Sequence, residues 1–171
     1  MRKRVLAAVA LILVLAIALC ACEKGSNDTS INPNSGANSK DYVFKSGSTV
    51  IEMKADAEAV LKALGAYKSS YEAPSCAFDG MDKIYSYNGF DLMTYSQNGK
   101  DLISGVVLRD DTVETPEGIA IGSKAEDVKK AYGDFEKDAT SATFKTDNCK
   151  LLIIFDGGVV TSIQYIALVE K

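Results

Sequence analysis

Hydrophobic residues are distributed unevenly along this chain of 171 residues. An unbroken apolar run extends from Val5 to Leu19, directly after a basic head at residues 2–4. Residues 23–40 then contain one large aliphatic side chain, Ile31, and otherwise small or polar residues. In the rest of the chain, apolar and polar positions alternate with the periods of helices and strands. The pattern predicts an apolar leader, a polar tether and a globular region.

The first helical pattern begins soon after residue 50. Ala57, Val60, Leu61 and Leu64 share one face of a helix, and this spacing predicts a buried stripe. Gly65 follows the stripe and is expected to end the helix.

A second helical pattern lies in the later half of the chain. Ser123 and Glu126 have the spacing of a capping box, which predicts the start of a helix. Val128 and Tyr132 lie on one face of that helix, and Gly133 is expected to end it.

Period-two patterns predict antiparallel strands after each helix. The strand segments are Phe90 to Tyr95, Leu102 to Leu108, Lys150 to Phe155 and Val159 to Ile166. Asn98-Gly99 and Asp156-Gly157-Gly158 separate the members of each pair, and such dipeptides favour tight hairpin turns. The sequence therefore predicts a hairpin in each half.

The two halves also share a motif. A-E-x-V-x-K-A-x-G occurs at Ala57 and again at Ala125, a constant offset of 68 residues. Chance matches in helices rich in Ala, Glu and Lys are the alternative, but the similar strands downstream favour duplication. We therefore expect an α+β fold of two tandem helix-plus-antiparallel-meander repeats, residues 41–117 and 118–171, with the helices packed on one face of the sheet.

The leader ends in Leu19-Cys20-Ala21-Cys22, which resembles the lipobox of bacterial lipoproteins. That resemblance implies a signal peptide at residues 1–21, acylation of Cys22, and a disordered tether at residues 22–40. A spanning helix is the alternative, but about 15 apolar residues fall short of the roughly 20 that cross a bilayer. A second alternative is an ordinary cleaved signal peptide with incidental cysteines. The lipobox implies a cell-membrane protein anchored on the extracytoplasmic side by its lipid, and two acyl chains suffice for stable anchoring.

A second resemblance covers most of the globular region. The segment from Gly118 to Gly133, with the later Phe-Asp-Gly-Gly-Val-Val-Thr-Ser-Ile strand pair, resembles the repeat of SmpA/OmlA outer-membrane assembly lipoproteins. It is also similar to the tandem repeats of β-lactamase inhibitor proteins, and the whole resembles surface lipoproteins of gut Firmicutes. The resemblance implies a protein-binding platform without enzymatic activity. The chain lacks the proline that usually follows the helix-ending glycine of SmpA/OmlA proteins.

Charge limits the range of partners. Three of the 19 basic residues fall in the leader, so the remainder carries 16 basic against 23 acidic residues, a formal charge of −7. Nucleic acids and anionic lipid surfaces both require basic patches. We therefore expect no nucleic-acid partner and no membrane contact except through the lipid.

Catalytic and metal-binding patterns are lacking in the sequence. The chain contains no histidine, which removes Ser-His-Asp and Cys-His arrangements and the commonest metal ligand. Four carboxylates lie between Asp110 and Glu117, but their spacing is not that of a calcium loop. A pair of carboxylates acting on a glycoside is not excluded by composition. We expect a protein that is not an enzyme and uses no cofactor or metal.

Cys76 and Cys149 are the cysteines that remain beyond the lipobox, one in each predicted repeat. In an oxidising compartment such a pair tends to form a disulfide, and closing a loop of about 74 residues stabilises by up to roughly 4 kcal/mol. Two separately buried thiols are the alternative. We expect a disulfide that joins the two repeats.

Tyrosines are concentrated in the first half and predict either packed strands or a binding face. They are Tyr67, Tyr71, Tyr85, Tyr87 and Tyr95. Together these patterns favour a lipid-anchored module that binds a protein or a wall component. The alternatives are a secreted inhibitor of a hydrolase and an accessory lipoprotein of an export or sensing complex.

Overall fold

The computed structural model describes residues 41–169, which contain nine strands and two helices of eight residues each. The strands are β1 (Phe44–Ser46), β2 (Thr49–Ile51), β3 (Ser69–Pro74), β4 (Met81–Ser86), β5 (Phe90–Gln97), β6 (Lys100–Leu108), β7 (Ser141–Lys145), β8 (Cys149–Asp156) and β9 (Val159–Ala167). The helices are α1 (Ala57–Leu64), between β2 and β3, and α2 (Ala125–Tyr132), between β6 and β7.

Seven of the strands form one antiparallel sheet in the order β3-β4-β5-β6-β9-β8-β7. β1 and β2 form a separate two-stranded hairpin. The seam of the large sheet is the pairing of β6 with β9, where Gly105, Val106 and Val107 lie opposite Ile166, Tyr165 and Gln164. Strands from both halves of the chain therefore belong to one hydrogen-bonded sheet.

The core lies between the sheet and the helices. Val60 of α1 and Val128 of α2 belong to one hydrophobic cluster with Leu92, Ile103 and Leu151 of the sheet. Alternate residues of β5, β8 and β9 point into this cluster, as the period of two requires. One face of the sheet is thereby buried, and we call the opposite one the outer face.

Both helices begin where the chain leaves a β-bridge. Asp56 bridges to Leu102 and also caps α1, because its carboxylate accepts hydrogen bonds from the amides of Glu58 and Ala59 at 3.0 and 3.4 Å. Lys124 bridges to Val159, so the chain is still extended there and α2 begins one residue later than its capping pattern predicts.

The capping box predicted at the start of the second helix is consequently wrong. The residue before α2 is Lys124, and it makes no side-chain capping bond. Ser123 instead accepts a hydrogen bond from the amide of Ala120 at 3.0 Å, which closes the turn before the helix. The predicted ends of both helices are confirmed, since Gly65 and Gly133 follow them with φ of 77° and 105°.

A polar clasp fastens the beginning of the described chain to the turn between β7 and β8. Asp41 accepts hydrogen bonds from the Thr146 hydroxyl at 2.5 Å and the Asn148 side-chain amide at 2.6 Å. Lys54 donates to the Asn148 amide oxygen at 2.9 Å. These hydrogen bonds lower the pKa of Asp41. The β1–β2 hairpin is thereby fixed beside the far half of the sheet.

The predicted α+β fold of two helix-plus-meander repeats is wrong: the described chain is mostly β, and 46% of it is strand. The physical reason is the length of the helices. Eight residues give about two turns, which form a buried stripe too short to make a helical layer. The strands supply most of the core instead, and residues 41–117 contribute six of them against three from the later segment. The two predicted hairpins, β5–β6 and β8–β9, are confirmed.

Candidate binding face

The outer face of the sheet carries apolar side chains near its middle. Ile84 of β4 pairs with Met93 of β5, and Met93 lies opposite Gly105 of β6, whose next neighbour is Ile166 of β9. These side chains alternate with core residues and are half-buried. A sheet face turned to solvent is ordinarily polar. The apolar row therefore marks the outer face as a candidate binding surface.

The loop between β3 and β4 folds onto this row. Phe78 at its centre packs against Tyr95, with ring centroids 4.8 Å apart, and Tyr95 is only 3% exposed. The Ser75 hydroxyl accepts hydrogen bonds from the amides of Ala77 and Phe78 at 3.3 and 3.2 Å. The amide of Ser75 also donates to the carbonyl of Gly80 at 3.0 Å. Phe78 is thus held in place over the sheet by the loop's own hydrogen bonds.

Phe78 stands between two adjoining cavities on the outer face. One, of about 340 Å³, extends toward β3 and is lined by Tyr71, Ala73 and Ile84 among others. The second, of about 450 Å³, extends over the β6–β9 seam toward Val107 and Val169. Both cavities share Phe78, Met93, Tyr95 and Ser104 as lining residues. We call the pair of cavities the outer groove.

A third cavity, of about 440 Å³, lies at the edge of the sheet. Tyr67 and Tyr85 line it together with Ser70, Tyr71, Glu72 and Lys83, and we call it the edge cavity. Tyr67 meets Tyr85 edge to face, with centroids 5.1 Å apart, and is 46% exposed. Such tyrosines offer a flat apolar surface with a polar tip.

The charges of the edge cavity are partly compensated. The Lys83 ammonium lies 2.7 Å from the Asp101 carboxylate, and this hydrogen bond raises the pKa of Lys83. Burial raises the pKa of Tyr85, so its hydroxyl stays protonated at neutral pH. The edge cavity therefore presents hydroxyl donors, the ammonium of the ion-paired Lys83 and the carboxylate of Glu72.

A second group of polar side chains surrounds the Tyr132 hydroxyl at the end of α2. The Tyr132 hydroxyl is 2.7 Å from the Thr115 hydroxyl and 2.6 Å from the Glu117 carboxylate, and burial raises its pKa. Thr115 is 2% exposed and also accepts from the amide of Ile119 at 3.1 Å. These hydrogen bonds join the segment before α2 to the end of that helix, which is a structural role.

The predicted site residues do not come together. Cys22 lies outside the described residues. Cys76 and Cys149 are both free thiols, so the predicted disulfide is not formed in the structure. Cys149 points into the core and is fully buried, whereas Cys76 is exposed in the loop that folds over the outer face. One thiol is thus enclosed in the core and the other is open to solvent.

The described residues also bear on three other possibilities: a metal site, a membrane-spanning helix and the acidic segment at residues 110–117. Among residues 41–169, no group of three or more His, Cys, Asp or Glu side chains is placed to hold a metal ion. Neither of the two described helices is long and apolar enough to cross a membrane. The carboxylates of Asp110, Asp111, Glu114 and Glu117 belong to exposed residues.

The outer groove was not among the sites that the sequence predicted. Its tyrosines at the sheet edge were visible as a concentration of aromatics, but Phe78 carried no signal of its own. Apolar residues on the outward positions of β4, β5 and β9 were the sign that could have found it.

No protein-family model, curated protein or solved structure matches this chain. The resemblances to lipobox proteins, SmpA/OmlA lipoproteins and β-lactamase inhibitor proteins therefore stay predictions.

Proposed function

We propose that this chain is a lipid-anchored protein of the extracytoplasmic side of the cell membrane that binds another protein and catalyses no reaction. The observation that carries the proposal is the outer groove, an apolar surface on the side of the sheet that α1 and α2 leave open. Acylation of Cys22 would hold this surface outside the cell.

The composition of the outer groove suits a protein partner. Aromatic residues and Met are enriched at the centres of protein interfaces, and Tyr71, Phe78 and Met93 line the groove. Polar side chains such as Asp82 and Gln164 lie among the lining residues, as in the polar rim of an interface. An apolar centre with polar surroundings is the usual anatomy of a protein-binding surface.

The rigidity of the groove also favours binding. Association is opposed by the entropy lost when side chains and loops become ordered at an interface. The loop that carries Phe78 is already fixed by hydrogen bonds to Ser75 and Gly80. A partner would therefore meet a surface that needs little ordering.

Site-specific photo-crosslinking in living cells tests the proposal. A photoreactive amino acid is placed at Val107, which lines the outer groove, or at Val50 of β2 as the matched control. Val50 is 46% exposed but lies away from the groove, on the separate hairpin. We expect a discrete protein adduct from position 107 and none from position 50.

Two results would contradict the proposal. Equal adducts at positions 107 and 50 would mean that the groove has no special role. An adduct at position 107 that consists of wall glycan would mean that the partner is not a protein.

A further inference from the structure

Strand β3 is an edge of the seven-stranded sheet, and within residues 41–169 it pairs with β4 alone. Five of its six residues are exposed, and Ala73 is half-buried. Edge strands present a row of backbone groups that another strand can pair with, and proteins usually blunt them with lysine, proline or bulges. β3 carries no lysine, and its proline, Pro74, is its last residue.

The opposite edge, β7, is less suited to pairing. It has five residues and ends in Lys145, a charge typical of protected edges. Besides Lys145, its exposed side chains are Ser141 and Thr143, which offer little apolar area, while Phe144 packs on Tyr132 with centroids 5.1 Å apart. Of the two edge strands, β3 is therefore the one better suited to pair with an added strand.

A cavity lies against each face of β3. Tyr71 and Ala73 border the outer groove, whereas Ser70 and Glu72 belong to the other face and line the edge cavity, which Tyr71 also borders. Because side chains alternate along a strand, a strand added beside β3 would point every second residue into the outer groove and the others into the edge cavity. Backbone pairing would supply affinity, and the two cavities would select side chains.

Charge indicates which side chains fit. From residue 68 to residue 86, the carboxylates are Glu72, Asp79 and Asp82, and the basic residues are Lys68 and Lys83. Lys83 is already paired with Asp101 at 2.7 Å. The edge is therefore negative, and basic residues of a partner would complement it.

We propose that β3 is a docking edge that takes an extended, basic segment of a partner protein as an additional strand of the sheet. Apolar side chains of that segment enter the outer groove beside Tyr71 and Phe78, and its basic side chains face Glu72. This inference rests on the proposed function, because it names how the partner of the outer groove is held.

A displayed library of random peptides of strand length is the probe. The chain, purified in mild detergent, selects binders, and hydrogen exchange with the selected peptides maps the contact. We expect enriched peptides in which apolar residues alternate with Lys or Arg, slower exchange of β3 amides, and unchanged exchange of β7 amides. Raising the salt concentration should weaken binding, because charge pairs near the surface are screened.

Matched variants test the side chains and the backbone separately. Tyr71→Ser should weaken binding about tenfold or more, as loss of an aromatic anchor does, whereas Thr143→Ser on β7 should have no effect. Ser69→Pro and Ser70→Pro remove adjacent amides, one pointing to β4 and the other outward. The variant that loses the outward amide should keep the melting temperature of the parent chain, and that variant should lose binding.

Three outcomes would overturn the inference. Full affinity in the folded proline variant would exclude pairing with β3. Slower exchange around Val107 and Ile166, without change in β3, would retain a groove-binding partner but reject the added strand. A chain that dimerises through β3 without any peptide would show that the edge is filled by a second copy.

Discussion

At the scale of single residues, the two described cysteines illustrate how burial decides chemistry. Cys149 is fully buried at the start of β8, and this burial raises the pKa of its thiol to about 11. Cys76 is exposed in the loop between β3 and β4. The thiolate is the reactive form of cysteine, so a protonated and enclosed thiol reacts slowly.

We therefore predict that a thiol-alkylating reagent at pH 8 modifies Cys76 in the native protein and Cys149 only after denaturation. At that pH, a pKa near 11 leaves Cys149 almost wholly protonated, about three decades from half ionisation. Peptide mass spectrometry of samples alkylated before and after addition of denaturant shows which of the two thiols is modified first. Cys76→Ser is the control and should leave Cys149 as slow as before. Equal rates for the two thiols, or protection of both that reduction removes, would contradict this assignment.

At the scale of elements, the sheet depends on a close approach between β6 and β9. A Cβ atom added to Gly105 would lie 2.8 Å from the backbone carbonyl oxygen of Tyr165, which is closer than real Cβ atoms come. The obstacle is backbone, so it cannot rotate away. Glycine is needed at this position because the neighbouring strand occupies the space of a side chain.

Gly105→Ala should therefore lower the free energy of unfolding by about 1–3 kcal/mol, the usual cost of overpacking. The adjacent Ser104→Ala is the matched control, since Ser104 is half-buried and faces the outer groove. Urea titration followed by circular dichroism measures both variants. If Gly105→Ala were as stable as Ser104→Ala, the close approach at the seam would be wrong.

Local signals predicted some elements of the fold and not others. Asn98-Gly99 encodes its hairpin within a few residues, so the β5–β6 turn could be predicted from the sequence. The pairing of β6 with β9 depends on core packing between segments more than 50 residues apart, for which no local pattern exists. Phe78 likewise is the single aromatic residue of its loop, and its place over Tyr95 depends on the folded sheet. The place of Phe78 in the outer groove was therefore beyond a reading of periodicity, whereas the apolar outward positions of β4, β5 and β9 were visible in the sequence.

At the scale of the whole molecule, the proposed anchor decides where the outer groove operates. We predict that Cys22→Ala abolishes incorporation of an alkyne fatty acid and releases the protein from the membrane into the medium. The reason is that two acyl chains hold a protein stably, whereas the formal charge of −7 expected for the chain without its leader would not attract it to an anionic bilayer. Fractionation and click labelling measure both effects, with Cys20→Ala as the matched control that should stay labelled. Labelling that persists in Cys22→Ala would reject the lipobox interpretation.

The seam between β6 and β9 also sets an order of events in time. Phe44 packs on Tyr165 with centroids 5.9 Å apart, so a side chain near the start of the described chain needs one near its end. A polypeptide that emerges from a ribosome or a translocation channel, amino end first, leaves Phe44 covered by Phe90 but not by Tyr165 and leaves one edge of β6 unpaired until β9 follows. Contacts this distant in sequence form slowly because the intervening chain must first lose its freedom. The newly emerged protein thus passes through an interval in which its core is exposed, and it is in that interval that a folding factor would have something to hold.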